Sequence, residues 1–356
     1  MDRRGFLFRG VATAAAALAA PGWAEAGAPS FLTAANRSDN STWLVGLAGD
    51  GVVRFSLPLP ARGHAAAAHP RRAEAVAFAR RPGRFAVVID CVTGQRIAEL
   101  HSPDDRHFYG HGAFSADGRL LFTTENAYDI PDGRLGLWDA TDGYRRIGEI
   151  ASGGIQPHEI VRLPDGGFAV ANGGVQTHPD YDRANLNVPT MRPNLTWLSP
   201  EGTIVAQVEP PAELHKASIR HVAADASGLV AMALQWEGDP RDAVPLAATA
   251  RRGEPLRLHD HSDTARLLQY GGSVAISGDG SEFAVTGPKG GVILYFDAAT
   301  GAPKGADSLA EASGVAREGG GLAITLAGGI GHRFAGRTEI RQIDGGWTWD
   351  NHLVCI

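Results

Sequence analysis

Sulfur is scarce in this chain. Only two cysteines, Cys91 and Cys355, occur in 356 residues, with no CxxC or CxxCH spacing. A thiolate metal knuckle and a covalently attached haem are therefore excluded, and two buried free thiols on separate apolar strands are expected. A basic stripe is also missing: 33 Lys and Arg against 39 Asp and Glu leave a formal charge of −6. Nucleic-acid binders need clustered cations to replace counterions, so that class is excluded. The pairs Arg71–Arg72, Arg80–Arg81 and Arg251–Arg252 read as solvated turns. No GxSxG elbow is present, and Ser218 and Ser273 have no assigned base and orienter. The glycines around His332 lack the strand-to-helix setting of a phosphate cradle.

Helix periodicity is nearly absent beyond the first segment. Short runs rich in Val, Ala, Phe and Leu alternate instead with Gly, Asp and Pro turns, the pattern of one large all-β domain. The first segment carries an address. Arg3 and Arg4 precede Gly5, Phe6 and Leu7, then an Ala-rich stretch and the small residues "AEAG". This reads as a twin-arginine export signal over residues 1–26, cleaved near Ala26. Its apolar part is too short and too Ala-rich to anchor in about 30 Å of hydrocarbon. A periplasmic mature protein without a membrane span is expected, with the propeller domain at residues 36–356.

Six segments resemble one another as strand, tight Gly turn, strand. They start at residues 74, 111, 158, 221, 273 and 314, at intervals of 37 to 63 residues. Several continue into a third strand, as in "RLGLWDATDGYRRIGEI". Units of about four strands at such a period predict the blades of a β-propeller. A seventh blade forms if the terminal "HLVCI" joins "STWLVGLAGDGVVRFSLPL" near the N-terminus. The expected fold is all-β, a seven-bladed β-propeller with blade 1 closed by N- and C-terminal strands. Residues 174–202, rich in Asn, Pro and Asp, form an expected long ordered loop over one face.

His111, His158, His221 and His352 share one repeat position, the head of the innermost strand. In a propeller such positions ring the mouth of the central channel, so residues distant in sequence converge. Imidazole suits zinc, copper, iron and nickel, and these four are the candidate metal ligands. Glu159, Arg220, Asp350 and Asn351 stand beside them as candidate supporting contacts. Blade 2 interrupts the series, which makes His111, His158 and His221 the best trio. His178 and Asp180, in the long loop, are candidate lid contacts. His64 and His69 flank an alanine run, and His101, His107, His259 and His261 carry less weight.

Taken together, "RRGFLF", "GHGAFS", "PHE", "MRPNL" and "WDNHL" resemble the domain-of-unknown-function family 1513, over nearly all of the mature chain. The chain departs from the family pattern at "MRPNL", where a Ser before the Leu is expected. The resemblance implies an exported bacterial propeller related to quinoprotein amine dehydrogenase β-chain-like and YVTN-type repeats. It also implies a genetic setting beside imelysin-like periplasmic iron-uptake proteins, with His111, His158 and His352 as site residues.

These readings converge on a periplasmic propeller that handles a transition metal ion, iron or copper, at a His-lined mouth. Its expected partners are the ion and a periplasmic iron-uptake protein. Two other classes stay open at this point. One is an enzyme at the same mouth, either a lactonase-like hydrolase or a copper redox protein; the other is a metal-free interaction scaffold. Fold alone does not choose among them.

Overall fold

The structure is a computed structural model that describes residues 21–79, 83–182 and 184–356. The twin-arginine pair, the apolar stretch after it, the Arg80–Arg81 pair and Arg183 lie outside the described residues.

Seven antiparallel sheets make seven blades. Blade 2 runs Gly63–Ala68, Glu74–Ala79, Phe85–Asp90 and Arg96–His101 from the axis outward. Blade 3 follows with Arg106–Phe114, Leu120–Ala127, Asp132–Asp139 and Arg145–Ala151. Blades 4, 5, 6 and 7 begin at the axis with Pro157–Arg162, Ala217–Ala224, Ser273–Ile276 and Val315–Glu318. Blade 1 is built from both ends of the chain. Phe31–Asn36 pairs with Thr42–Leu47 on one side and, on the other, with the C-terminal Thr348–Trp349 and Val354–Cys355. The last residues therefore form the innermost strand, as the repeat predicts, and radial closure leaves each sheet edge short.

Two details differ from the sequence reading. The first strand of blade 1 starts at Phe31, ahead of residue 36. Ahead of it a turn places Ala26 in the core, and the Trp23 indole N–H donates to the His69 carbonyl at 2.9 Å. More consequential is blade 2. Glu74–Ala79 is its second strand, and the innermost one is the alanine-rich Gly63–Ala68. Four alanines in a row look like low complexity, yet Ala65, Ala66 and Ala67 are buried in the inner strand of this blade.

The strand composition follows radial position. Phe168–Asn172, second in blade 4, is buried on both faces and is correspondingly apolar. Arg145–Ala151, outermost in blade 3, alternates exposed and half-buried residues, as a strand with one solvated face must. Turns between third and fourth strands use Asp: the Asp90 Oδ1 accepts the N–H of Val92 at 2.8 Å and of Thr93 at 3.1 Å. Asp297 does the same for Ala299 and Thr300, which is the Asx turn such residues favour. The hydrophobic cores lie between blades rather than at the centre; the largest joins blades 4, 5 and 6 around Trp197, Met232, Phe283 and Phe296. The axis is thereby left for a channel. The loop after Phe168–Asn172 holds two short 3-10 turns, Pro179–Tyr181 and Val188–Thr190, on the face where the inner strands begin. Cys91 and Cys355 are free thiols.

Two structural histidines set a pH limit. His69 Nδ1 accepts the N–H groups of Arg71 and Arg72, and its Nε2 bonds the Gly118 carbonyl. That pattern fits one neutral tautomer. Burial, then the charge of Arg72, pushes its pKa from 6.5 down to about 4; burial and then Arg257 do the same to His259, also to about 4. Both groups stay neutral when folded but take up a proton when unfolded, so their contribution holds above about pH 6.5 and fades as the pH falls toward 4. At pH 5 each costs about 2 kcal/mol. Denaturant titrations should give lower stability at pH 5 than at pH 7, with His69→Gln reducing that difference; equal stabilities would contradict the assignment.

Candidate metal centre

Five imidazoles converge at one mouth of the axial channel. His111 and His352 have ring centroids 4.5 Å apart, His158 and His221 4.9 Å, and His221 and His352 4.8 Å. The fifth is His64, whose ring lies 5.0 Å from that of His111 and 4.5 Å from that of His352. It stands at the head of the inner strand of blade 2, so blades 1 to 5 contribute without interruption. A repeat register that starts blade 2 at Glu74 leaves a gap there, whereas Glu74–Ala79 is the second strand of that blade. A usable signal existed: His64, His111 and His158 are equally spaced in the chain.

A backbone device accompanies each of the five. The ladder between first and second strands slips between Gly63 and Ala66, Phe108 and Gly112, Pro157 and Glu159, and Ile219 and His221. In blade 1 the inner strand breaks between Trp349 and Val354. Blades 6 and 7 pair without a shift and carry no histidine at this position. A β-bulge re-aims a side chain; here it turns the imidazole from the gap between blades toward the axis. Carbonyls freed by the bulges find hydroxyls on the second strand. Thr33 Oγ1 donates to the His352 carbonyl at 2.7 Å and Thr124 Oγ1 to that of His111 at 3.2 Å. Next to His111, Gly110 has φ +97°, and a Cβ there would sit 2.7 Å from the His64 ring. Glycine lets the two rings meet.

Two carboxylates stand behind the rings. Glu159 Oε2 lies 3.2 Å from His221 Nδ1 and accepts the Val222 N–H at 3.0 Å, while Oε1 is 3.5 Å from His111 Nδ1. Asp350 Oδ1 lies 3.0 Å from His64 Nδ1, and its Oδ2 takes Arg62 at 3.3 Å. Burial favours the neutral form of Glu159, but His111 and His221 outweigh it and hold the carboxyl well below its usual range. His158 and His352 are driven well below the usual imidazole range, first by burial and then by neighbouring positive charge from His221 and Arg220, and from His111 and His64, respectively. Neutral imidazole is the metal-binding form. Within the cluster, three buried ring nitrogens have no hydrogen-bond partner: His111 Nε2, His158 Nδ1 and His352 Nε2. Within this cluster three overlapping sets, His64 with His111 and His352, His111 with His158 and His221, and Glu159 with His221 and His352, each bring ligand atoms within 4.8 Å of one another.

The other sequence candidates lie elsewhere. Arg220 pairs with Glu237 at 2.8 Å and touches the cluster through its charge. Asn351 donates to the Tyr270 hydroxyl at 3.0 Å. His178 caps the first loop turn, with Nε2 3.2 Å from Asp129 and its ring against Tyr128. Asp180 is exposed, 3.7 Å from His178. Both belong to a hydrogen-bonded loop beside blade 3, and neither joins a ligand set. His259 and His261 are spent separately, on Thr249 and on the Gly305 carbonyl.

Comparison with solved structures finds the same fold at low sequence identity. The chain superposes on Kuenenia stuttgartiensis hydrazine synthase with a TM-score of 0.61 at 12% identity, covering 86% of this chain and 91% of that one. The β-propeller domain of Myceliophteria thermophila Cps50 (Swd1) gives 0.57 at 12%, covering 88% and 94%. KlHsv2 with loop 6CD replaced by a Gly-Ser linker gives 0.53 at 11%, covering 85% and 91%. At these identities the likeness is one of fold. No curated protein sequence matches the chain. Residues 57–356 match the family described as protein of unknown function DUF1513, and the chain belongs to that family.

Proposed function

We propose that this protein binds a transition metal ion, iron or copper, at the five-imidazole cluster and serves periplasmic metal handling, with a periplasmic iron-uptake protein as partner. One observation carries the reading: buried ring nitrogens of His111, His158 and His352 lack any hydrogen-bond partner within a single group of imidazoles. An unsatisfied buried polar atom costs about 1–3 kcal/mol, and each of these three histidines belongs to at least one set whose ligand atoms lie within 4.8 Å of one another, where an ion could take up the free nitrogen. Glu159 bonds the Nδ1 of His221 and Asp350 that of His64. That is how carboxylates orient metal-bound histidines and raise their basicity. With nitrogen and oxygen donors and no sulfur in the ligand sets, the donor chemistry suits iron or copper in the divalent state. No helix among the described residues is long and apolar enough to cross a membrane, and the twin-arginine motif supports export. A hydrolase with a serine nucleophile has less support, because the Ser218 hydroxyl donates to the Gly173 carbonyl and Ser273 Oγ accepts the Val315 N–H.

Because the three ligand sets overlap, His111→Ala with His352→Ala removes a member from every one. Elemental analysis of protein exported in its own host should find about one equivalent or more of iron or copper in the unaltered chain and near none in this double variant. His101→Ala with His178→Ala, outside the cluster, should keep the metal. Equal content in the two double variants removes the claim.

Asp350→Asn keeps the shape behind His64 but withdraws the charge. Metal affinity, measured by competition with a chromophoric chelator, should drop about 10–100-fold. An unchanged affinity would make Asp350 a structural partner only.

A further inference from the structure

The imidazole arc covers five of seven blade positions, and the remaining two offer no imidazole or carboxylate. In blade 6 the equivalent residue is Ser273, whose hydroxyl is engaged by the Val315 N–H at 3.3 Å. In blade 7 it is Gly314, where a Cβ would come within 2.6 Å of the Leu353 backbone nitrogen. No side chain fits there. The protein's donors therefore approach from one side, and the opposite side is bare.

The cluster borders an axial cavity of about 370 Å³ lined by the inner strands of all seven blades, with His111, Glu159 and His352 on one flank and Ser273 and Val315 on the bare one. Below the cluster its wall is small and apolar, with Ala65, Ala113, Val161 and Ala223 among the lining residues. At the other end of the inner strands stand Arg162 and Arg317, both exposed. The volume is at the low end for small-molecule sites.

We infer that this channel delivers a small uncharged molecule to the open side of the metal, so that the centre binds an exogenous ligand instead of enclosing its ion. The inference rests on the metal reading above. Charge selects the occupant. A cation entering from the far end meets Arg162 and Arg317 first, and an anion that passes them meets the Glu159 carboxylate beside the cluster, with alanine and valine side chains between the two ends. Removing an ion from water without a partner is costly, and an uncharged molecule pays neither penalty. The ion itself loads from the histidine-bearing face, where Asp350 and Glu159 lie.

Cobalt(II) substituted into the protein gives a visible spectrum that reports added ligands. Imidazole at about pH 8.5, where it is uncharged, should change that spectrum with saturation, and azide should bind roughly tenfold more weakly or less. Ala223→Phe narrows the channel and should raise the apparent Kd for imidazole about tenfold, with cobalt content measured alongside. A wild-type spectrum indifferent to imidazole, azide binding as well as imidazole, or a cobalt-loaded Ala223→Phe variant indistinguishable from wild type would each overturn the inference. Failure of the unaltered chain to take up cobalt would instead remove the metal reading beneath it.

Discussion

A slip in the ladder between first and second strands is the constraint on which the rest depends. In a regular inner strand, side chains alternate toward one neighbouring blade or the other, and none faces the axis squarely. The bulges at residues 63–66, 108–112, 157–159 and 219–221, with the break near His352, alter that geometry where the histidines stand. Where the ladder is regular, in blades 6 and 7, the ring has no imidazole. Backbone irregularity and chemistry go together here, as they commonly do where a sheet carries a site.

The arrangement is expensive for the fold. Five imidazoles in one place, with buried nitrogens unpaired, spend stability that an apolar plug would have preserved. Interblade cores, such as the one around Trp197 and Phe283, are independent of the axis and supply what the centre gives up. Glu159 and Asp350 offset part of the electrostatic cost by bracketing the cluster from two sides. Departures from local packing rules concentrated at one point are the mark of a functional site.

Much of the architecture was legible because repetition is a sequence property. Spacing of strand pairs gave the blade count, and the orphan strand at "HLVCI" gave the closure seen in the pairing of Val354–Cys355 with Phe31–Asn36. Four of the five clustered histidines were legible for the same reason, as was the neighbourhood of Glu159 and Asp350. His64 was hidden by its surroundings: "GHAAAAHP" lacks the bulky alternation by which a strand is read. The bulges could not be read, because an extra residue in one strand leaves no compositional trace. The loop histidine misled through proximity. His178 does lie on the face where the inner strands begin, but local partners, Asp129 and Tyr128, fix it outside the cluster.

X-ray absorption at the metal edge, on protein exported in its own host, addresses the central claim most directly. The account predicts a first shell dominated by nitrogen at about 2.0–2.2 Å with the outer-shell scattering of at least three imidazole rings. A shell of oxygen alone, or scattering from no more than one imidazole, would contradict it.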